Sequence, residues 1–318
     1  MIKFRRITYM VFVLPLLSSC GSLGNIAVPD YVDSGLKSPW NFTEDFEDQD
    51  PGRLRLSPLL SINDKGMGSK PFRVEREPDG NQYLAITVED GWNTDPTNKK
   101  LGGTERAEIE TKHRYARERE IWYGFRLRFP RNFTHIPDRL LISQFKNQFR
   151  NMRKSPLVGI RFYARGNQLS IGGDTGGIAT KSYNVDEYRE HGIRADYLQY
   201  ETIWRPFSTK NRGEDSRNRL ETENAPVTGM GEWVTFKVGV RNSSSEDGFV
   251  KVYKDGQLIF DYQGITFDWS GRYTGSTVRI GIYRDGDPTG DGYPSQTVHY
   301  DDFTVVSDKK TLDEILMD

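Results

Sequence analysis

The residues whose types and spacing are suited to chemistry fall in three short runs, each carrying polar side chains two positions apart. In Thr104-Glu105-Arg106-Ala107-Glu108-Ile109-Glu110, an extended chain sends Arg106, Glu108 and Glu110 to one side and Ala107 and Ile109 to the other. In Leu141-Ile142-Ser143-Gln144-Phe145-Lys146, Gln144 and Lys146 share a side while Phe145 points away. In Val278-Arg279-Ile280-Gly281-Ile282-Tyr283-Arg284, the core face holds Val278, Ile280 and Ile282, so Arg279, Gly281 and Tyr283 look outward. Gly281 leaves a gap where a ligand can approach the backbone. The stretch from Ile160 adds Arg161, Tyr163 and Arg165 at the same spacing. If the three runs lie in one sheet, that sheet carries arginine, lysine, glutamine and tyrosine together on a solvent-facing concave surface, a cationic groove on a nearly neutral protein. Any one run also fits the wet face of an ordinary strand; the recurrence of Gln, Tyr, Gly and basic residues at matched positions favours a site.

The elements that must hold these runs are strands. Short alternating segments separated by Gly, Asn, Asp and Pro clusters fill the chain from about Trp40 onward, the pattern of an all-β sandwich or barrel with few helices. Val234 to Val240 alternates cleanly, as do Tyr123 to Phe129 and Ile160 to Ala164. Two further runs, Phe249 to Tyr253 and Gln257 to Tyr262, flank Lys254-Asp255-Gly256 and predict a hairpin. From about Gly172 to Gly231 periodicity fades, and long loops with a short helix around Val185 to Glu190 are expected. A connection of that length is either functional or a surface insertion.

The chain has 318 residues with 44 basic and 45 acidic side chains, a net charge of −1. That balance argues against nucleic acid as a partner, and attraction for a polyanion must be local. Lys3, Arg5 and Arg6 followed by the apolar stretch from Ile7 to Leu17 read as an export signal over residues 1–19, too short to span a bilayer comfortably. Leu17-Ser18-Ser19-Cys20 resembles a bacterial lipoprotein cleavage box, which makes Cys20, the only cysteine, the lipidated first residue of the mature chain and leaves no disulfide framework. The alternative is an ordinary signal peptide. With Gly21 following, an exported lipoprotein anchored to the outer membrane is expected, facing periplasm or cell surface. Residues 20–38 then form a tether, 39–308 the folded domain and 309–318 a C-terminal tail. A monomer is expected.

Taken together, these runs resemble the polysaccharide lyases of the heparin lyase I and glucuronan lyase type, with a more distant similarity to jelly-roll alginate lyases. Arg106-Ala107-Glu108-Ile109 is similar to their Arg-x-Glu-Leu strand. Gln144-Phe145-Lys146 falls where they carry Gln-x-His, and Arg279-Ile280-Gly281-Ile282-Tyr283 looks like their Lys-x-Gly-Val-Tyr, the most specific of the motifs. Gly231-Glu232-Trp233-Val234, Asp247-Gly248, Lys254-Asp255-Gly256 and Tyr300-Asp301-Asp302 extend the similarity, which runs from about Phe46 to Val306. The fold implied is a concanavalin-like jelly-roll β-sandwich of two antiparallel sheets with a concave groove.

The activity implied is β-elimination on a uronic-acid-containing polysaccharide, an acidic polymer. Arg106, Gln144 and Arg279 would stabilise charge developing on the uronate carboxylate. Tyr283 matches the family tyrosine and would act as base or acid; a phenol ordinarily ionises near pH ~10, and neighbours such as Arg279 and Arg284 would favour its phenolate. Lys146 departs from the pattern, since it stands in the histidine's place and acts as a base only if burial or like charge depresses it strongly. Otherwise Tyr283 serves as both base and acid, or one of His113, His135, His191 and His299 replaces the histidine in space, His191 first. Glu108 would hold Arg106 by an ion pair, Glu110 stands where relatives often carry a basic residue, and Arg161, Tyr163, Arg165, His191 and Arg284 complete the expected substrate contacts.

No cofactor is required by this chemistry. Asp285-Gly286-Asp287-Pro288-Thr289-Gly290-Asp291 has the alternating oxygen ligands of a calcium loop, with Asp285, Asp287 and Asp291 as its carboxylates, but Gln296 stands where a bidentate Glu belongs. An ordinary acidic turn is the other reading. Two further functions stay open: a glucanase-type glycoside hydrolase working through Glu108 and Glu110, and a non-catalytic carbohydrate-binding lipoprotein.

Overall fold

Period-two alternation of Val, Ile, Phe and Tyr with polar residues puts most of the described chain into strands that bury one face. The computed structural model describes residues 41–63, 70–91, 103–136, 139–149, 156–163, 168–172, 229–243, 245, 247–263, 266, 273–287 and 289–317. The expected helix near 185–190, and the residues Cys20, Arg165 and His191, lie outside the described residues. No helix among those described is long and apolar enough to cross a membrane.

The described residues form fourteen strands and one helix: β1 (Phe42–Glu44), β2 (Leu60–Asn63), β3 (Phe72–Arg76), β4 (Gln82–Val88), β5 (Thr104–Thr111), β6 (Glu120–Arg128), β7 (Leu140–Phe149), β8 (Val158–Tyr163), β9 (Gln168–Gly172), β10 (Val234–Arg241), β11 (Phe249–Lys254), β12 (Gln257–Gln263), β13 (Tyr273–Asp285), β14 (Gln296–Val306) and α1 (Lys309–Ile315). Eight strands form one sheet in the order β12-β11-β10-β6-β14-β4-β3, with β1 also on β14; six form the other in the order β2-β5-β13-β7-β8-β9. All pairings recorded between these strands are antiparallel. The β11–β12 hairpin turns at Asp255 and Gly256, both in the left-handed region (φ 47° and 71°), as an Asp-Gly turn requires.

Between the sheets lies one apolar cluster, to which β5 gives Ala107 and Ile109, β13 gives Val278, Ile280 and Ile282, and β6 gives Tyr123, Phe125 and Leu127. Burying each larger side chain contributes about 1.5–3 kcal/mol. Simple alternation along β7 fails. Leu140 and Ile142 belong to the core on one side of a register shift and Phe145 on the other. Against β8 the extra residue is Ile142, between Leu141 and Ser143, while against β13 the single Ile142 faces two residues, Gly281 and Ile282; this irregularity turns Gln144 and Lys146 outward beside their neighbours.

The segment expected as a C-terminal tail is instead helical. Asp308 caps α1 by accepting from the Thr311 amide at 2.8 Å, and Leu312 and Leu316 bury against Trp122 and Val306 on the outer face of the eight-stranded sheet. Two strand glycines make room for this layer: a Cβ at Gly124 would stand 2.4 Å from Leu316, and one at Gly239 would stand 2.5 Å from the Trp122 ring.

Candidate active site

The three chemistry-bearing runs become β5, β13 and β7, which are neighbours in the six-stranded sheet. Register places Arg106 opposite Tyr283, Glu108 opposite Gly281 and Glu110 opposite Arg279. On the other flank of β13, Arg279 pairs with Gln144 and Thr277 with Lys146. The core takes Ile280 and Ile282, so the side chains of Arg106, Glu108, Glu110, Gln144, Lys146, Arg279 and Tyr283 share the sheet's outer face.

Glu108 organises this face. It is 2 % exposed, accepts a hydrogen bond from Gln144 Nε2, lies 3.3 Å from Arg106 Nε and 3.8 Å from Arg279 Nη1, and accepts from Asn63 Nδ2 at 3.4 Å. Arg279 also pairs with Glu110 at 2.7 Å. A buried carboxylate survives only with such compensation, and here the compensation fixes two guanidiniums and an amide in one geometry. With both oxygens engaged by cations or amides, Glu108 is placed to position its neighbours. That is not the arrangement of a hydrolytic acid, which must offer a proton to a leaving group.

Tyr283 stands at one end of the cluster. The Arg106 guanidinium carbon lies 4.0 Å from its ring centroid and that of Arg139 lies 4.7 Å away. Arg139 is itself held by Asp285 at 2.5 Å. Lys146 stands at the other end. Burial, with Arg279 and Arg106 close by, brings its ammonium down to about 7, the carboxylates of Glu108 and Glu110 only partly opposing this.

Asn63 and Arg139 were not anticipated. Asn63 was legible in principle, because Leu60-Ser61-Ile62-Asn63 alternates; Arg139 precedes β7 in sequence, and nothing in its spacing marks it.

Several expected contacts fall elsewhere. Arg284 is a correction: it follows Ile280 and Ile282 on the core side, is 0 % exposed, and pairs with Glu105 at 2.5 Å while donating to the Pro294 carbonyl and Gln296 Oε1. A strand alternates, so the residue after an outward tyrosine must turn inward. Gly281 is required for a reason other than ligand approach. Its φ is +137°, and a Cβ there would meet the Ala107 carbonyl oxygen at 2.3 Å. In the acidic loop Asp285 pairs with Arg139, Asp287 accepts from the Thr289 amide at 2.8 Å, and the Thr289 hydroxyl lies 2.7 Å from Asp287 and 3.1 Å from Asp291. Among the described residues no group of three or more His, Cys, Asp or Glu is arranged to hold a metal.

Arg161 sits opposite Leu141, one strand beyond β7, and Tyr163 ends β8 opposite Gln168. His113 packs against Tyr115, His135 beside Phe129 and Phe133, and His299 against Tyr83 and Arg128 in the other sheet. Burial lowers all three imidazoles, His299 to about 3 with help from Arg128.

A family model described as polysaccharide lyase matches residues 34–304. Among solved structures, an endo-β-1,4-glucuronan lyase from the fungus Trichoderma reesei is 17% identical, with a TM-score of 0.49 over 84% of this chain and 95% of that one. The alginate lyase Aly36B is 10% identical with a TM-score of 0.50, covering 84% of this chain and 96% of its own. The alginate lyase AlgAT5, from Polysaccharide Lyase family 7, is 13% identical with a TM-score of 0.43, covering 75% and 82%. None of the curated proteins matches the sequence. The two-sheet antiparallel architecture is the jelly-roll β-sandwich.

Proposed function

The chain belongs to the polysaccharide lyase family and is a polysaccharide lyase, and from that premise we propose that the outer face of the six-stranded sheet binds a uronic-acid-containing polymer and cleaves it with Lys146 as base and Tyr283 as acid. The observation that carries the proposal is the gathering of Arg106, Arg279, Gln144, Lys146 and Tyr283 on one face around Glu108.

In this scheme Arg106, Arg279 and the second N–H of the Gln144 amide receive the uronate carboxylate, lowering the cost of charge that develops there as C5 loses its proton. Neutral Lys146 takes that proton. The electron pair left at C5 forms the C4–C5 double bond, the C4–O4 bond breaks, and the Tyr283 phenol protonates the departing oxygen. Side chains supply all the charge neutralisation, so no cofactor is invoked. The polymer class is that shared by glucuronan, alginate and related acidic chains, and Arg161 extends the binding face along β8.

The same reading places the enzyme outside the cytoplasm. The basic and apolar residues before Cys20 support export, and lipidation of Cys20 would tether a monomeric enzyme to the outer membrane, facing periplasm or surface polymer.

The test is a panel of uronic-acid polysaccharides followed in the near ultraviolet, where an unsaturated uronate absorbs and a hydrolysis product does not. Tyr283→Phe is expected to lose about 10²–10⁴-fold in turnover while keeping its polymer affinity. New reducing ends without absorbance would identify a hydrolase, and binding without turnover a lectin-like domain; either result overturns the proposal.

A further inference from the structure

Tyr300 lies in β14, in the opposite sheet, and is completely buried. Its ring packs beside Phe125, 5.8 Å between centroids, and its hydroxyl crosses the sandwich to the sheet that carries the active site. There it lies 2.9 Å from the Ile142 carbonyl oxygen and 2.9 Å from the Gly281 carbonyl oxygen. These two residues sit at the irregularity where β7 and β13 change register. The pairing passes from Ile280 with Ser143 to Tyr283 with Leu141, and Gly281, Ile282 and Ile142 lie in the gap.

The place of that irregularity decides the site. On one side of it are Gln144 and Arg279, register partners; on the other are Tyr283 and Leu141. Were the bulge to relax or migrate by one residue, Gln144 and Lys146 would exchange faces with Phe145, because the side-chain period of a strand is two. Carbonyls at a bulge lose their ladder partners and need another donor. Burial holds the Tyr300 phenol far above its ordinary ionisation range, so it remains a donor. Its single proton is shared between two acceptors, one on each strand.

We propose that Tyr300 is a positioning residue for catalysis, whose hydroxyl pins the β7–β13 bulge from behind and thereby fixes Tyr283 relative to Gln144 and Lys146. The inference rests on the lyase reading of that face. Tyr300 touches no substrate and acts only through the two backbone carbonyls.

Tyr300→Phe removes the hydroxyl and keeps the ring. Val250→Ala, a truncation in the core of β11 in the other sheet, serves as a control that loosens packing away from the bulge. With both variants assayed well below their unfolding midpoints, Tyr300→Phe is expected to lower kcat roughly 10- to 100-fold with KM changed less than about threefold. Val250→Ala should keep kcat. Combining Tyr300→Phe with Tyr283→Phe should cost little more than Tyr283→Phe alone, since both act on one group. Equal kcat in Tyr300→Phe and the control, despite lost stability, assigns the hydroxyl a structural role and overturns the proposal. A second reading needs no variant: in the unmodified enzyme the Ile282 and Tyr283 amides should exchange as slowly as that of Phe125, and fast exchange at the bulge also overturns it. An unmodified enzyme that produces no unsaturated product on any uronate polymer sinks the lyase scheme instead, and leaves the exchange result to judge the clamp.

Discussion

Arg106 and Tyr283 are register partners across β5 and β13, and the guanidinium carbon of the first lies 4.0 Å from the ring centroid of the second. Arg106 is at the same time 3.3 Å from Glu108, which also engages Arg279 and Gln144. The guanidinium and the phenol are therefore oriented by one contact, and their common support is a buried anion. Three outcomes follow from this arrangement.

Lys146 ties activity to pH. With its ammonium brought down to about 7, turnover should rise as pH increases through that value, because only the neutral amine accepts a proton. Lys146→Met should lose both the turnover and this rising limb. Stability carries the same signature: between about 7 and the ordinary lysine value of 10.5, the unfolded chain binds a proton that the folded chain does not, so folding stability rises with pH across the window. Lys146→Met should therefore gain stability over the parent more at pH 6 than at pH 9, by up to about 1.4 kcal/mol per pH unit within the window. Urea unfolding of both proteins at the two pH values measures this, and a pH-independent difference would contradict the assignment.

Glu108→Gln keeps the size of the side chain but removes the charge that balances Arg106 and Arg279. Breaking a buried pair on one side costs about 3–5 kcal/mol, and displacing a catalytic group by about 1 Å costs on the order of 10²-fold in rate. Lower stability and lower kcat are both expected, with KM raised as the arginines turn toward Glu110. Steady-state kinetics with a parallel unfolding curve would expose the opposite result, an intact kcat, which is incompatible with a positioning role.

Arg284→Met separates structure from catalysis. Glu105 would be left buried beside an apolar side chain, at a cost of about 3–5 kcal/mol. KM for the polymer should stay within twofold of the parent's at a temperature where the variant is folded. A large KM effect with unchanged stability would return Arg284 to the binding face.

Much of this molecule was legible from spacing alone. Alternation in Thr104 to Glu110 and Val278 to Arg284 determined which side chains share a face, because consecutive residues of a strand must point oppositely; the same rule, followed one residue further, puts Arg284 inside, contrary to its expected place among the substrate contacts. Lys254-Asp255-Gly256 determined a hairpin, since Asp and Gly tolerate the left-handed backbone such a turn needs. Tertiary structure alone decided which strands are neighbours, for periodicity names a face but not the partner across the ladder. It decided the bulge that reverses the phase of β7 after Ile142, the Tyr300 hydroxyl arriving from the other sheet, and the helical fate of residues 309–315, whose amphipathic turn is too short to hold without Trp122 beneath it. Above all it decided the state of Lys146: a lysine's charge depends on the solvent and cations around it, and those are assembled only when β5, β7 and β13 lie side by side.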